Sequence, residues 1–145
     1  MGTVYATITI KNLSDFSRAE YGYVNEDEVR QTTVEAIVDR SAITLFITEE
    51  LRQQLGLEIK GEQPVTIANG MYEIAKIAGP VEIQWKNRSM ICQPRVIPGG
   101  NEILLGRIPL QEMDLTVDSV SGELVGAHGD EILISLPTVL EMKPR

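Results

Sequence analysis

Asp39 stands where a short apolar run, residues 36–38, gives way to polar residues. Arg40 and Ser41 follow it, and then another small residue, Ala42. A strand that delivers a carboxylate into a loop is one way in which hydrolases present a catalytic acid. Asp39 is therefore the first candidate for chemistry, and the three residues after it form the loop that would position its side chain.

The chain has one cysteine, Cys92, and one histidine, His128. They could in principle form a thiol–imidazole pair, but their contexts, an alternating strand pattern and a glycine-rich loop, favour a core thiol and a surface imidazole. One residue of each type cannot build a zinc site of the Cys/His type within one chain. The acidic run 25–28 lacks the glycine and the ligand spacing of a calcium loop, which favours a solvated loop. We expect neither a metal nor a cofactor.

Charge and hydropathy exclude further classes of partner. Thirteen basic and twenty-one acidic residues give a net charge of −8, whereas nucleic-acid binding needs a basic footprint. The apolar runs are only a few residues long, so we expect no membrane span. The N-terminus lacks the basic and apolar segments of a secretory signal, and a lone cysteine fits a reducing compartment. These features predict a cytoplasmic protein of one domain.

Alternating apolar and polar residues predict a mostly β chain. The polar stretch 11–32 interrupts this pattern and is interpreted as an excursion or a hairpin extension. A short helix is predicted at 48–56, where Thr48 suits the N-cap and Gly56 the end, and a second at 108–113. The predicted strands cover 3–10, 33–38, 43–47, 64–78 as a hairpin, 81–97 as a second hairpin, 103–106, and three short segments between 115 and 136. The predicted core comprises Val38, Ile43, Leu45, Leu51, Leu55, Ile97, Leu104 and Leu105.

Two of these stretches together resemble the retropepsin family of aspartic peptidases, including its single-domain bacterial relatives. In that family an apolar strand ends in Asp-Thr/Ser-Gly-Ala, which residues 39–42 match in part. Later in the chain, members of the family have apolar residues, a glycine and often an arginine before a short helix. Residues 103–107 match this pattern here. The hairpin 64–78 lies between them, where the family places a flap over its substrate. The resemblance covers roughly residues 33–125.

The resemblance implies an all-β fold, a closed acid-protease barrel with two short helices over residues 1–136, followed by a tail at 137–145. It implies that Asp39 is catalytic and that the substrate is a peptide or protein. Because one chain supplies one such aspartate, it implies a homodimer that pairs two copies of Asp39. The remaining implied site residues are the active-site loop Arg40, Ser41 and Ala42, the flap Ala68, Asn69, Gly70 and Met71, and the structural support Leu104, Leu105, Gly106 and Arg107.

Two departures from the family motif bear on activity. Arg40 replaces a threonine or serine whose hydroxyl fixes the two loops of the dimer, and a guanidinium stays charged. Ser41 replaces a glycine, which adds a Cβ close to the substrate. We therefore expect impaired peptide-bond hydrolysis. The alternatives are a catalytically inactive module that binds peptides or only assembles, and an unrelated β-barrel binding domain. Asp118 is a weaker second candidate carboxylate, because its loop lacks the small residues.

Overall fold

The computed structural model describes residues 2–67 and 69–134. The described part contains eleven strands, three α-helices and one turn of 3-10 helix at Glu26–Glu28. None of these helices, of which the longest has eight residues, is long and apolar enough to cross a membrane. The helices are α1 (Leu13–Glu20), α2 (Glu49–Leu55) and α3 (Arg107–Glu112). The strands are β1 (Tyr5–Asn12), β2 (Gln31–Val38), β3 (Phe46–Ile47), β4 (Ile59–Thr66), β5 (Tyr72–Ala78), β6 (Val81–Trp85), β7 (Arg88–Cys92), β8 (Arg95–Val96), β9 (Leu104–Leu105), β10 (Leu115–Val117) and β11 (Leu124–Gly126).

Nine strands form one sheet in the order β4-β5-β8-β3-β9-β2-β1-β6-β7, and β10 and β11 form a separate pair. Strand β1 pairs antiparallel with β2 and with β6, whereas β2 pairs in parallel with β9. The order has two ends, β4 and β7, and closure between them is not seen in the described part. The predicted β-rich class is confirmed, but the fold is mostly β with three short α-helices rather than all-β with two.

The core lies on the inner face of this sheet and under α2 and α3. Along β1 every second side chain, Ala6, Ile8 and Ile10, is buried, as the alternation of its sequence predicts. Four of the predicted core residues are fully buried: Leu45, Leu51, Leu55 and Leu105. Val38, Ile97 and Leu104 are only partly buried, and Ile43 is exposed, which corrects its assignment to the core.

The stretch 11–32 is not a hairpin extension, because its first part folds into α1. Asn12 caps this helix by accepting a hydrogen bond from the Asp15 backbone at 3.0 Å, and its amide donates to the Leu55 carbonyl at 2.8 Å. Asp15 in turn forms a two-pronged ion pair with Arg30, with contacts of 2.7 and 3.0 Å. Helix α1 is thus held by contacts with residues distant in sequence. The acidic run that follows it is exposed, as expected for a solvated loop.

Helix α2 begins and ends as its sequence predicts. The Thr48 hydroxyl accepts a hydrogen bond from the Leu51 backbone at 3.1 Å, and Gly56 ends the helix with a left-handed φ of 65°. The predicted helix at 108–113 corresponds to α3, with Pro109 in its first turn. Both helices therefore follow from local sequence signals alone.

The structure corrects the extent of two strand predictions. The predicted strand 43–47 is reduced to β3, because the carbonyls of Ala42 and Ile43 accept hydrogen bonds from the first residues of α3 instead. The last short segment forms no strand over 131–134 and makes only an isolated bridge between His128 and Glu131. Its remaining residues and the predicted tail at 137–145 lie outside the described residues.

Candidate active site

Strands β2 and β9 fix the position of Asp39. They run in parallel, with Ile37 opposite Leu104 and Val38 opposite Leu105. The Asp39 backbone N–H continues this ladder by donating to the Leu105 carbonyl at 3.0 Å. The Asp39 carboxylate therefore leaves the sheet at a defined point, and its backbone is held by the apolar stretch of the second motif, residues 103–105.

Within its own loop, the Asp39 carboxylate is held by Ser41. Oδ1 accepts hydrogen bonds from the Ser41 backbone N–H at 2.9 Å and from the Ser41 hydroxyl at 2.5 Å. Oδ2 accepts none from the rest of the described chain. Asp39 is half-buried and Ser41 is exposed, so one carboxylate oxygen is fixed and the other is left for water or a ligand.

Arg40 does not pair with Asp39 within the described chain. Its side chain is exposed, and Nη2 donates to the hydroxyl of Thr116 on β10 at 3.1 Å. Thr116 was not identified from the sequence, since nothing in the pattern relates positions 76 residues apart. The β10–β11 pair therefore lies against the active-site loop and sets the direction of the Arg40 guanidinium.

The first turn of α3 packs its backbone against the same loop. The Arg107 and Ile108 N–H groups donate to the carbonyls of Ala42 and Ile43, at 2.8 and 3.0 Å. A Cβ on Gly106 would lie 2.6 Å from the Ala42 carbonyl oxygen and close to the Thr44 backbone, so only glycine fits there without a shift. These contacts, with the buried Leu105 beneath them, place the predicted support residues directly under the Asp39 loop.

Arg107 makes no ion pair with a carboxylate in the described part of the chain. Its Nη1 lies 3.4 Å from the Arg40 carbonyl oxygen, so the side chain lies along the active-site loop. Leu104 beside it is partly buried and helps to line an apolar cavity of about 150 Å³ together with Phe46 and Ile97. The sequence predicts Leu104 and Ile97 as core residues and gives no sign of a cavity.

The predicted flap is the hairpin of β4 and β5, which pair from Ile59 and Ala78 to Thr66 and Tyr72. Its tip is closed by hydrogen bonds from Ile67 to Met71 and from Gly70 to Ile67, each 2.9 Å long. Gly70 has a φ of 74°, as the predicted turn requires. Asn69, Gly70 and Met71 are exposed; the fourth predicted flap residue, Ala68, lies outside the described residues.

The other candidate groups have separate local partners. Burial raises the pKa of the Cys92 thiol to about 11, which keeps it protonated near neutral pH. His128 Nδ1 lies 2.7 Å from Asp114 Oδ2. Asp118 accepts bonds from the Val120 backbone and the Ser121 hydroxyl, and these lower its carboxyl pKa, as in a turn. Over residues 2–67 and 69–134, no group of three or more acidic, histidine or cysteine side chains could hold a metal ion.

Comparison with solved structures identifies the fold. The EIAV protease, solved with the inhibitor HBY-793, is 18% identical to this chain over 76% of this chain and 86% of its own, with a TM-score of 0.55. The retroviral protease-like domain of Ddi1 from Leishmania major is 16% identical over 94% and 96%, with a TM-score of 0.54. No protein-family model matches the chain, and no curated protein matches it in sequence. The structure therefore has the retropepsin-like fold that its motifs predict.

Proposed function

We propose that the chain is a retropepsin-like aspartic endopeptidase that acts as a homodimer and hydrolyses peptide bonds through a pair of Asp39 carboxylates. The observation that carries the proposal is the position of Asp39, which leaves β2 in a loop held by β9 and α3. The two structural neighbours named above are a protease and a protease-like domain. The exposed hairpin tip supplies a candidate flap for a peptide or protein substrate.

Peptide hydrolysis of this kind needs two carboxylates that share one proton. Two adjacent carboxylates cannot both ionise at low cost, so one stays protonated and polarises the peptide carbonyl while the other activates water. Among the described residues, Asp39 is the candidate that keeps one carboxylate oxygen without a partner in such a loop, whereas both oxygens of Asp118 accept hydrogen bonds within a turn. A two-fold axis that brings Asp39 from each copy together completes the pair.

We propose that Arg40 and Ser41 impair this activity. Arg40 lies beside the aspartate in sequence, so a dimer places two guanidiniums near the two-fold axis. Positive charge there offsets the repulsion that makes two carboxylates share a proton. The Ser41 hydroxyl also holds Oδ1 of Asp39 at 2.5 Å, a contact that the glycine of the family motif cannot make.

A non-catalytic module that binds peptides, or only assembles, is the second candidate function. The contact between Arg40 and Thr116 favours it, because this arginine has a fixed place in the fold and is not merely tolerated beside Asp39. This candidate keeps the dimer and the flap and loses only the hydrolytic step.

Restoring the family motif tests the first candidate against the second. The double variant Arg40→Thr/Ser41→Gly should create or raise pepstatin-sensitive cleavage of unstructured peptides, and adding Asp39→Asn should abolish that gain. The unmodified chain should cleave weakly or not at all. A well-folded dimeric double variant without activity on a broad peptide library contradicts the catalytic proposal. Brisk cleavage by the unmodified chain contradicts our account of Arg40.

A further inference from the structure

A cavity of about 330 Å³ lies beside helix α1. It is at the far end of strands β1 and β2 from Asp39, since β1 leads into α1 and the segment after α1 leads into β2. The eight residues of β2 span roughly 26 Å between the α1 end of the strand and Asp39. The cavity is therefore separate from the loop that the proposed dimer places at its two-fold axis.

Three cationic side chains line this space, which we call the α1 cavity: Arg18 on α1, Arg30 before β2, and Lys60 on β4. Two carboxylates line it as well, and both are already paired, Asp15 with Arg30 at 2.7 Å and Glu58 with Lys60 at 3.2 Å. Arg18 has no acidic partner within ion-pair distance in the described part of the chain. The α1 cavity therefore keeps an excess positive charge in a protein of net charge −8.

Two glycines make room for two of these cations. A Cβ on Gly56 would overlap the Arg30 guanidinium, and a Cβ on Gly79 would lie 2.8 Å from Cε of Lys60. Asp15 binds two nitrogens of the Arg30 guanidinium, Nε and Nη2, and Nη1 has no hydrogen-bond acceptor in the described chain. The guanidinium is thus held in place with donors to spare, and a pre-organised site loses less conformational entropy when a ligand binds.

The first turns of α1 add further donors to the same space. Ser14 and Arg18 are one turn apart on one face of the helix, and both line the cavity. A backbone N–H in a first turn has no acceptor within its own helix, and that of Ser14 finds none elsewhere in the described chain. This end of a helix also favours negative charge. Leu57 and Pro80 contribute an apolar part of the wall.

From this arrangement we propose that the α1 cavity binds a small organic phosphate ester, whose phosphate is held by Arg18, Arg30 and Ser14. Guanidinium groups present paired N–H donors that match phosphate oxygens, and a phosphate offers three such oxygens to donors from different elements. The cavity is at the lower end of the range for small-molecule sites, about 300–1,000 Å³, which leaves room for an organic group against the apolar wall. The inference is independent of the proposed peptidase function, because the two sites share no residue.

The test titrates three anions into the full chain by isothermal calorimetry: phenyl phosphate, phenyl sulfate and inorganic phosphate. Phenyl phosphate and phenyl sulfate have the same shape and differ in charge. Above neutral pH the phosphate ester should bind about tenfold more tightly than the sulfate ester. It should also bind more tightly than inorganic phosphate, because the free ion makes no contact with the apolar wall.

Variants then locate the site. Arg18→Met should weaken the binding of phenyl phosphate about tenfold, and Arg18→Lys should retain part of the affinity because the charge remains. Lys60→Met should have a smaller effect, since an ammonium lacks the paired donors of a guanidinium. Lys76→Met is the matched control for Lys60→Met, because Lys76 is an exposed lysine on the neighbouring strand β5 and does not line the cavity.

Equal binding of the phosphate and sulfate esters, or binding of neither, overturns the inference. An equal loss of affinity in Lys76→Met overturns it as well, because it would indicate general charge attraction. If inorganic phosphate binds as tightly as phenyl phosphate, the ligand is the free ion and the assignment of an organic ester is wrong. Circular dichroism checks the folding of each variant, and the three anions on the unmodified chain decide the matter if a variant does not fold.

Discussion

At the residue scale, Gly106 determines how closely α3 approaches the Asp39 loop. An added Cβ would lie 2.6 Å from the Ala42 carbonyl oxygen and would also meet the Thr44 backbone, which cannot move aside as a flexible side chain can. We expect Gly106→Ala to lower the free energy of unfolding by about 3 kcal/mol, measured by urea denaturation. Gly61→Ala is the control, because its nearest heavy atom would be 3.7 Å away. Equal destabilisation by the two changes would refute this account.

The contacts of single residues also show how much of the candidate site could be predicted from the sequence. The resemblance to the family motif implies that Asp39, Gly106 and Arg107 belong to one site, and the structure places their backbones close together. The contact between Arg40 and Thr116 was not predicted, since it depends on how β10 folds back over the loop. The bond from the Ser41 hydroxyl to Asp39 is also not predicted by the motif, because the family has a glycine at this position and therefore no hydroxyl there.

At the element scale, α1 is stabilised by a contact whose strength depends on pH. The side chain of Arg30 holds the pKa of the Asp15 carboxyl below its usual value. A lowered pKa in the folded state stabilises the fold above the ordinary carboxyl pKa, and the contribution is lost as the pH falls through the lowered value. Because Arg30 is half exposed, solvent screening limits the contribution.

We expect Asp15→Asn to lower the free energy of unfolding by about 1–2 kcal/mol at neutral pH. The deficit relative to the unmodified chain should shrink toward acid, where Asp15 itself becomes protonated. Chemical denaturation at a series of pH values measures both effects. Asp27→Asn, at an exposed position in the 3-10 turn, serves as the control and should change little. A deficit that stayed constant down to strongly acid pH would rule out the ion pair as its cause.

Helix α1 and strand β3 also show why elements were missed. The sequence of α1, LSDFSRAE, has few apolar residues to form a stripe, and the helix depends on Asn12, Arg30 and the Leu55 carbonyl instead. The stretch 43–47 has the apolar residues of a strand, but its first carbonyl, that of Ile43, accepts a hydrogen bond from the first turn of α3 and not from another strand. Helix α2 was predicted correctly because Thr48 and Gly56 act within its own turns. Helix caps can be predicted from the sequence because they involve neighbouring residues, whereas contacts between distant residues cannot.

At the scale of the whole molecule, the proposed pair of carboxylates requires two copies of the chain. Sedimentation analysis should give a mass twice that of the chain, because each copy supplies half of the catalytic pair. Strictly monomeric behaviour at high micromolar concentration would remove the carboxylate-pair mechanism. The non-catalytic binding module would then be the remaining candidate function.

The same dimer should show an energetic coupling between Asp39 and Arg40. Within the described chain the two side chains do not pair, since Asp39 is bonded to Ser41 and Arg40 to Thr116. Any coupling must therefore cross the two-fold axis, where two aspartates and two arginines can form an ion-pair cluster. Removing one partner would leave a desolvated charge without compensation, whereas removing both would not.

We expect Asp39→Asn and Arg40→Met each to weaken dimerisation about tenfold or more, and the double variant to dimerise nearly as well as the unmodified chain or better. Dissociation constants from sedimentation complete the double-mutant cycle. A control cycle of Asp118→Asn with Arg40→Met should be additive, because Asp118 is bonded within its own turn. If the effects in the first cycle are additive as well, Arg40 and Asp39 make no contact across the two-fold axis.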